Sequence, residues 1–68
     1  MEAKDLRKTI QRLEESGTYS LAIPYYERLM HDGGMTESEY KRLYELYSIY
    51  NNVDGMNRVA ARYKQIYR

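Results

Sequence analysis

The 68-residue chain repeats its apolar pattern at an offset of 37 residues. Tyr19, Ala22, Ile23, Tyr26, Leu29 and Met30 recur as Met56, Val59, Ala60, Tyr63, Ile66 and Tyr67. Leu6, Thr9, Ile10 and Leu13 recur as Leu43, Leu46, Tyr47 and Tyr50. Self-similarity at a period of roughly 20–50 residues marks a stacked repeat, in which one supersecondary unit buries its apolar face against the next. Arrays of this kind present an extended surface, so the pattern points to binding as the class of function.

The length fits one domain, residues 1–68, and roughly 70–80 residues is where a single core becomes comfortable. Cysteine is absent, which removes disulfides and thiolate metal sites as staples and fits a reducing compartment. Oligomerisation or a partner is then the expected aid. No apolar run approaches the roughly 18 residues of a membrane span, and MEAKDLRK at the N-terminus does not read as a signal peptide. The expectation is a soluble, cytoplasmic protein that does not engage a membrane. A net charge of +1 argues against a dedicated polyanion binder. Nine tyrosines stand where phenylalanine and tryptophan are missing altogether. A tyrosine ring packs while its hydroxyl seeks water or a partner, so a tyrosine core suits a thin two-layer array or an interface.

The spacing predicts an all-α chain of four helices in two antiparallel hairpins, at residues 3–31 and 36–68. Leu6, Ile10 and Leu13 give the first helix, Ala3 to Glu15, a narrow apolar face, and Gly17 offers the left-handed position that ends it. The second helix is expected from a Thr18 N-cap to about Met30, with Pro24 kinking it or loosening its start. His31, at the following break, most simply caps carbonyls. Thr36 and Glu39 form a capping-box pattern for the third helix, which should run to about Asn51. Its stripe is read as Tyr40, Leu43, Tyr44, Tyr47 and Tyr50, widened by Leu46 and Ile49 as though two sides were covered. Asp54 is the candidate cap of the fourth helix, which reaches the C-terminus.

The segment Leu13 to Met30, LEESGTYSLAIPYYERLM, resembles the turn and second helix of a tetratricopeptide repeat, through Gly17, Tyr19, Ala22, Tyr26 and the AIPYYERL string. The second copy is more degenerate: Asp54, Met56 and Val59 replace Gly, Tyr and Ala, while Tyr63 and Ile66 keep their places. The resemblance implies TPR-like stacking of the two hairpins. That family's period is 34, so the three additional residues are expected in the loop from His31 to Glu37. Two repeats fall short of the roughly three that such stacks need. Self-association, as a homodimer through Met56, Tyr63 and Tyr67, is the implied remedy.

In the resembled family, partners lie in a groove lined by the first helix of each repeat. Transferred here, that groove would be lined by Lys4, Arg7, Lys8, Gln11, Lys41, Tyr44, Ser48, Asn51 and Asn52. This basic, amide-rich set suits another protein or an acidic peptide segment, and its plain alternative is an ordinary solvated face. Gly55 to Arg68 carries four basic residues and no acidic one. Arg58, Arg62 and Arg68 therefore support a second reading, a small helical DNA-binding regulator, against which a favourable helix-dipole arrangement is the simpler account. A single histidine and no cysteine leave no ligand set for a metal, and no nucleophile, phosphate loop or cofactor motif is present. The sequence thus reads as a non-enzymatic adaptor or inhibitor module without cofactor or metal.

Overall fold

In a computed structural model, which describes residues 2–67, the chain is four helices: α1 (Ala3–Glu15), α2 (Tyr19–Asp32), α3 (Glu37–Ile49) and α4 (Val53–Ile66), with no strand among the described residues. The helices pack in two pairs, α1 with α2 and α3 with α4. Each pair is a compact unit of its own, the first ending at Met35 and the second opening at Thr36. Both are antiparallel. In the first, Arg7 near the start of α1 donates to the carbonyl of Gly34 just beyond α2. In the second, Tyr40 early in α3 meets Tyr63 late in α4.

The backbone repeats at 34 residues, not 37. Residue 3 opens α1 and residue 37 opens α3, each 13 residues long; residue 19 opens α2 and residue 53 opens α4, each 14 long. The three residues expected as a longer loop after His31 are therefore not an insertion. They are taken up as a displacement of the buried stripe, since three residues is most of a 3.6-residue turn and returns nearly the same face. Leu6 and Leu43, Ile10 and Tyr47, and Ala22 and Val59 are all buried. The apolar register of 37 is thus kept at these pairs, one turn further along each helix of the second hairpin.

One backbone closure explains the equal lengths. Beyond α1, Gly17 N–H donates to Glu14 O and Thr18 N–H to Leu13 O. Gly33 and Gly34 do the same for Met30 and Leu29 beyond α2, and Asn51 and Asn52 for Ser48 and Tyr47 beyond α3. This is the Schellman pairing, which needs a left-handed residue at its first position. Gly17 (φ 78°) and Gly33 (φ 80°) supply it without strain, and Asn51 (φ 54°) is the one non-glycine to do so among the described residues.

Several local expectations are corrected by these closures. The carbonyls at the end of α2 are met by backbone N–H groups, so His31 is not their cap; its ring is exposed, with Nδ1 3.7 Å from Asp32 Oδ1. Thr18 holds the N-cap position of α2, but its hydroxyl donates backward to Leu13 O at 3.0 Å rather than accepting from the helix. α2 extends two residues past Met30; Pro24 lies inside it, and its first turn is closed by an i, i−3 bond from Leu21 N–H to Thr18 O. α3 stops at Ile49, short of Asn51. Asn52, not Asp54, caps α4, its Oδ1 accepting from Gly55 N–H at 2.9 Å. The capping box of Thr36 and Glu39 is formed as the sequence indicates.

The α3 stripe is also narrower than its spacing suggested. Tyr40, Leu43, Leu46 and Tyr47 are buried, whereas Tyr44, Ile49 and Tyr50 are 41%, 55% and 46% exposed. α3 meets a single helix within its unit, and a helix packed on one side buries one arc. Tyr44 lies about 100° around from Leu43, on the rim of that arc.

Replacing Asn51 by Gly removes the Cβ from a left-handed position, so the chain should gain roughly 0.5–1 kcal/mol, whereas Gly17→Ala should lose about 1 kcal/mol. Urea denaturation followed by circular dichroism reads both; a loss of stability in Asn51→Gly would contradict the account of the α3 terminus.

Candidate functional site

The first hairpin is closed around Leu6, Ile10, Ala22, Tyr26 and Leu29. The Tyr26 hydroxyl donates to the Glu14 carboxylate, so the buried ring of α2 ends on a polar group of α1. This meets the usual demand of a buried tyrosine for a partner. The candidate residues of α1 are then placed as follows. Arg7 is drawn to the Gly34 carbonyl, and Gln11 donates to Glu15 on its own helix at 3.1 Å. Lys4 and Lys8 remain on the exposed side.

The second hairpin is organised differently at its two ends. At the turn end, Tyr47 lies against the first turn of α4. A Cβ placed on Gly55 would stand 2.5 Å from the Tyr47 ring, so only glycine admits this approach. On the other side, the Arg58 guanidinium lies 5.9 Å from the Tyr47 ring centroid and donates to its hydroxyl at 3.3 Å. Such stacking contributes on the order of 0.5–1 kcal/mol at a partly exposed site.

At the open end, three tyrosine rings meet. Tyr40 makes edge contacts with Tyr63 (centroids 6.1 Å apart) and Tyr67 (6.0 Å), and Tyr63 and Tyr67 lie 4.9 Å apart. Edge-to-face pairs of this kind contribute about 0.5–1.5 kcal/mol beyond area burial. Tyr40 is buried, and Tyr63 of α4 and Tyr67 just beyond its end are half-buried.

Beside this cluster, the α3–α4 face carries an open groove of about 430 Å³. Its lining is Tyr40, Lys41 and Tyr44 from α3, with Val59, Ala60, Tyr63 and Lys64 from α4. Ala60 is the small residue between the walls. The two lysines each follow a tyrosine of the edge-to-face pair in sequence, so they flank the groove at one level from opposite helices. Lys41 pairs with Glu37 at 3.4 Å, both side chains well exposed. Lys64 has no acidic partner among the described residues, and no acidic residue occurs from Gly55 onward.

Of the proposed partner-groove residues, only Lys41 and Tyr44 enter this cleft. Ser48, Asn51 and Asn52 do not line it; Asn52 is committed to capping α4, and Asn51 to the left-handed turn. Of the self-association residues, Tyr63 and Tyr67 come together with Tyr40, while half-buried Met56 lies two turns earlier on α4. In the basic helix, Arg58 is placed on Tyr47, Arg62 is exposed, and Arg68 lies outside the described residues. Sequence reasoning missed Gly55 and Lys64, which entered it only within the basic stretch from Gly55 to Arg68.

No three His, Asp or Glu side chains converge as a metal site would require, among the described residues. No helix among them is long and apolar enough to cross a membrane. Compared with known protein families, curated proteins and solved structures, the chain matches none.

Gly55→Ala should destabilise the chain by about 1–3 kcal/mol through overpacking against the buried Tyr47 ring, although the same change in an open helix gains roughly 1 kcal/mol. The urea midpoint of the variant decides between the two signs.

Proposed function

We propose that this chain is a protein–protein interaction module, an adaptor or inhibitor, whose working surface is the groove between α3 and α4. The observation that carries the reading is an apolar cleft between α3 and α4, lined by Tyr40, Tyr44 and Tyr63 and flanked by two lysines. Clefts between two helices are natural seats for a third segment, because ridges of side chains on the incoming chain fit the furrow between the walls. Tyrosine supplies large contact area at small cost in conformational entropy, which is why it concentrates at binding surfaces.

The tetratricopeptide resemblance is supported by the 34-residue spacing of the two hairpins, which equals that family's period. It is also supported by Ala22 and Tyr26, both buried where the pattern wants a small residue and a large ring. Self-association through Met56, Tyr63 and Tyr67 is the competing use of the same face. The mutual packing of Tyr40, Tyr63 and Tyr67 already meets part of that demand, which favours a separate partner.

A peptide-display library panned on the chain should enrich ligands that are lost when Ala60→Arg fills the groove. Enrichment indifferent to that substitution, or sedimentation equilibrium showing a stable dimer that Ala60→Arg converts to monomer, would replace this reading with another surface or with a second copy.

A further inference from the structure

We infer that the occupant of the α3–α4 groove is an acidic amphipathic helix, with an apolar stripe on Ala60 and the tyrosines and carboxylates along both flanks. This rests on the groove being the binding surface.

Charge argues for the acidity. Lys41 and Lys64 stand on opposite walls at the level where Tyr40 and Tyr63 touch, so a segment lying in the cleft meets a cation on each side. Lys64 has no carboxylate of its own among the described residues, and α4 from Gly55 onward offers none. The Lys41–Glu37 pair is an exposed i, i+4 contact, of a kind that solvent screens and that adds little stability. A ligand carboxylate can exchange with it at little loss. A basic segment would bring like charges together on both walls, which disfavours it strongly once water is excluded.

Shape argues for a helix. The floor is built from Val59, Ala60 and Tyr63 at the i, i+1, i+4 spacing of one helix face, faced by Tyr40 and Tyr44 at i, i+4 on the other. Two parallel ridges with a small residue between them accept a third ridge of the same pitch. A volume of about 430 Å³ holds a few aliphatic side chains, not a whole domain edge. The hydroxyl-bearing rim of Tyr44 adds a hydrogen-bond donor for a flanking carboxylate.

The test uses the full chain and three synthetic peptides of about 16 residues, roughly 24 Å of helix. All carry the same leucine stripe; the flanks are Glu in one, Gln in the second and Lys in the third. Fluorescence anisotropy should give the Glu peptide an affinity at least about tenfold above the Gln peptide at low salt, with the gap narrowing as salt screens the rims. Lys64→Gln should weaken the Glu peptide several-fold and leave the Gln peptide unchanged. Ala60→Arg should abolish both, with Tyr44→Ser, at an exposed position, as the check that does not disturb the fold. Equal affinity of Glu and Gln peptides, both lost in Ala60→Arg, overturns the acidic occupant while the groove stands. No binding of any peptide by wild type overturns the helical occupant, and display ligands that survive Ala60→Arg overturn the groove as well. A dimer that excess Glu peptide leaves intact also overturns the assignment, since a second copy then fills the cleft.

Discussion

The second hairpin depends on one close approach, the Tyr47 ring laid on the backbone of Gly55. A side chain at residue 55 would push the first turn of α4 away by the thickness of a methyl group, and the distance between packed helices follows the side chains at their contact. With glycine there, the helices meet closely next to the turn. At the far end, the rings of Tyr40 and Tyr63 stand between the same two helices with centroids 6.1 Å apart. A pair of helices pinned at one end and propped by rings at the other, with Ala60 in between, leaves a furrow along one side of the pair. The groove is therefore a consequence of where the small and large residues fall, and needs no dedicated loop to form it.

The first hairpin uses the same backbone with a different contact. The positions 34 residues before Tyr47 and Gly55 are Leu13 and Leu21; Leu13 is half-buried and Leu21 points outward. Full burial falls one residue later, at Ala22. The anchor is Tyr26, whose hydroxyl reaches Glu14. Identical helix lengths and identical Schellman closures thus carry two cores, which is why the apolar register and the backbone register differ by three. Backbone hydrogen bonding fixes where helices begin and end, while burial answers only to which face meets the neighbouring helix. Nothing obliges the two to share a period to the residue.

That separation also accounts for what could be read from the residues alone. The four helices, the left-handed Gly17 and the Thr36–Glu39 capping box were legible, because each rests on interactions within a few positions of chain. Asn51 and Asn52 were harder. Either could end α3 or cap α4, and the choice between Asn52 and Asp54 turns on which side chain reaches an N–H three residues on, a matter of backbone conformation at the turn. Tyr44 and Tyr50 were read into the core because tyrosine at helical spacing looks buried; exposure at those rims is set by the one helix that α3 actually meets in its unit. Gly55 was the least legible, since glycine near a turn ordinarily signals the turn. Its burial under a ring appears only when the partner helix is in place.

A run of cations on α4 invites a nucleic-acid reading when it is counted along the sequence. Placed in three dimensions, the run divides by face. Arg58 is turned to the Tyr47 ring and hydroxyl, where it braces the turn end of the hairpin. Lys64 stands on the groove wall opposite Lys41. A phosphate backbone rewards many cations spread along one continuous surface. Two lysines beside an apolar, tyrosine-lined cleft make no such continuous surface.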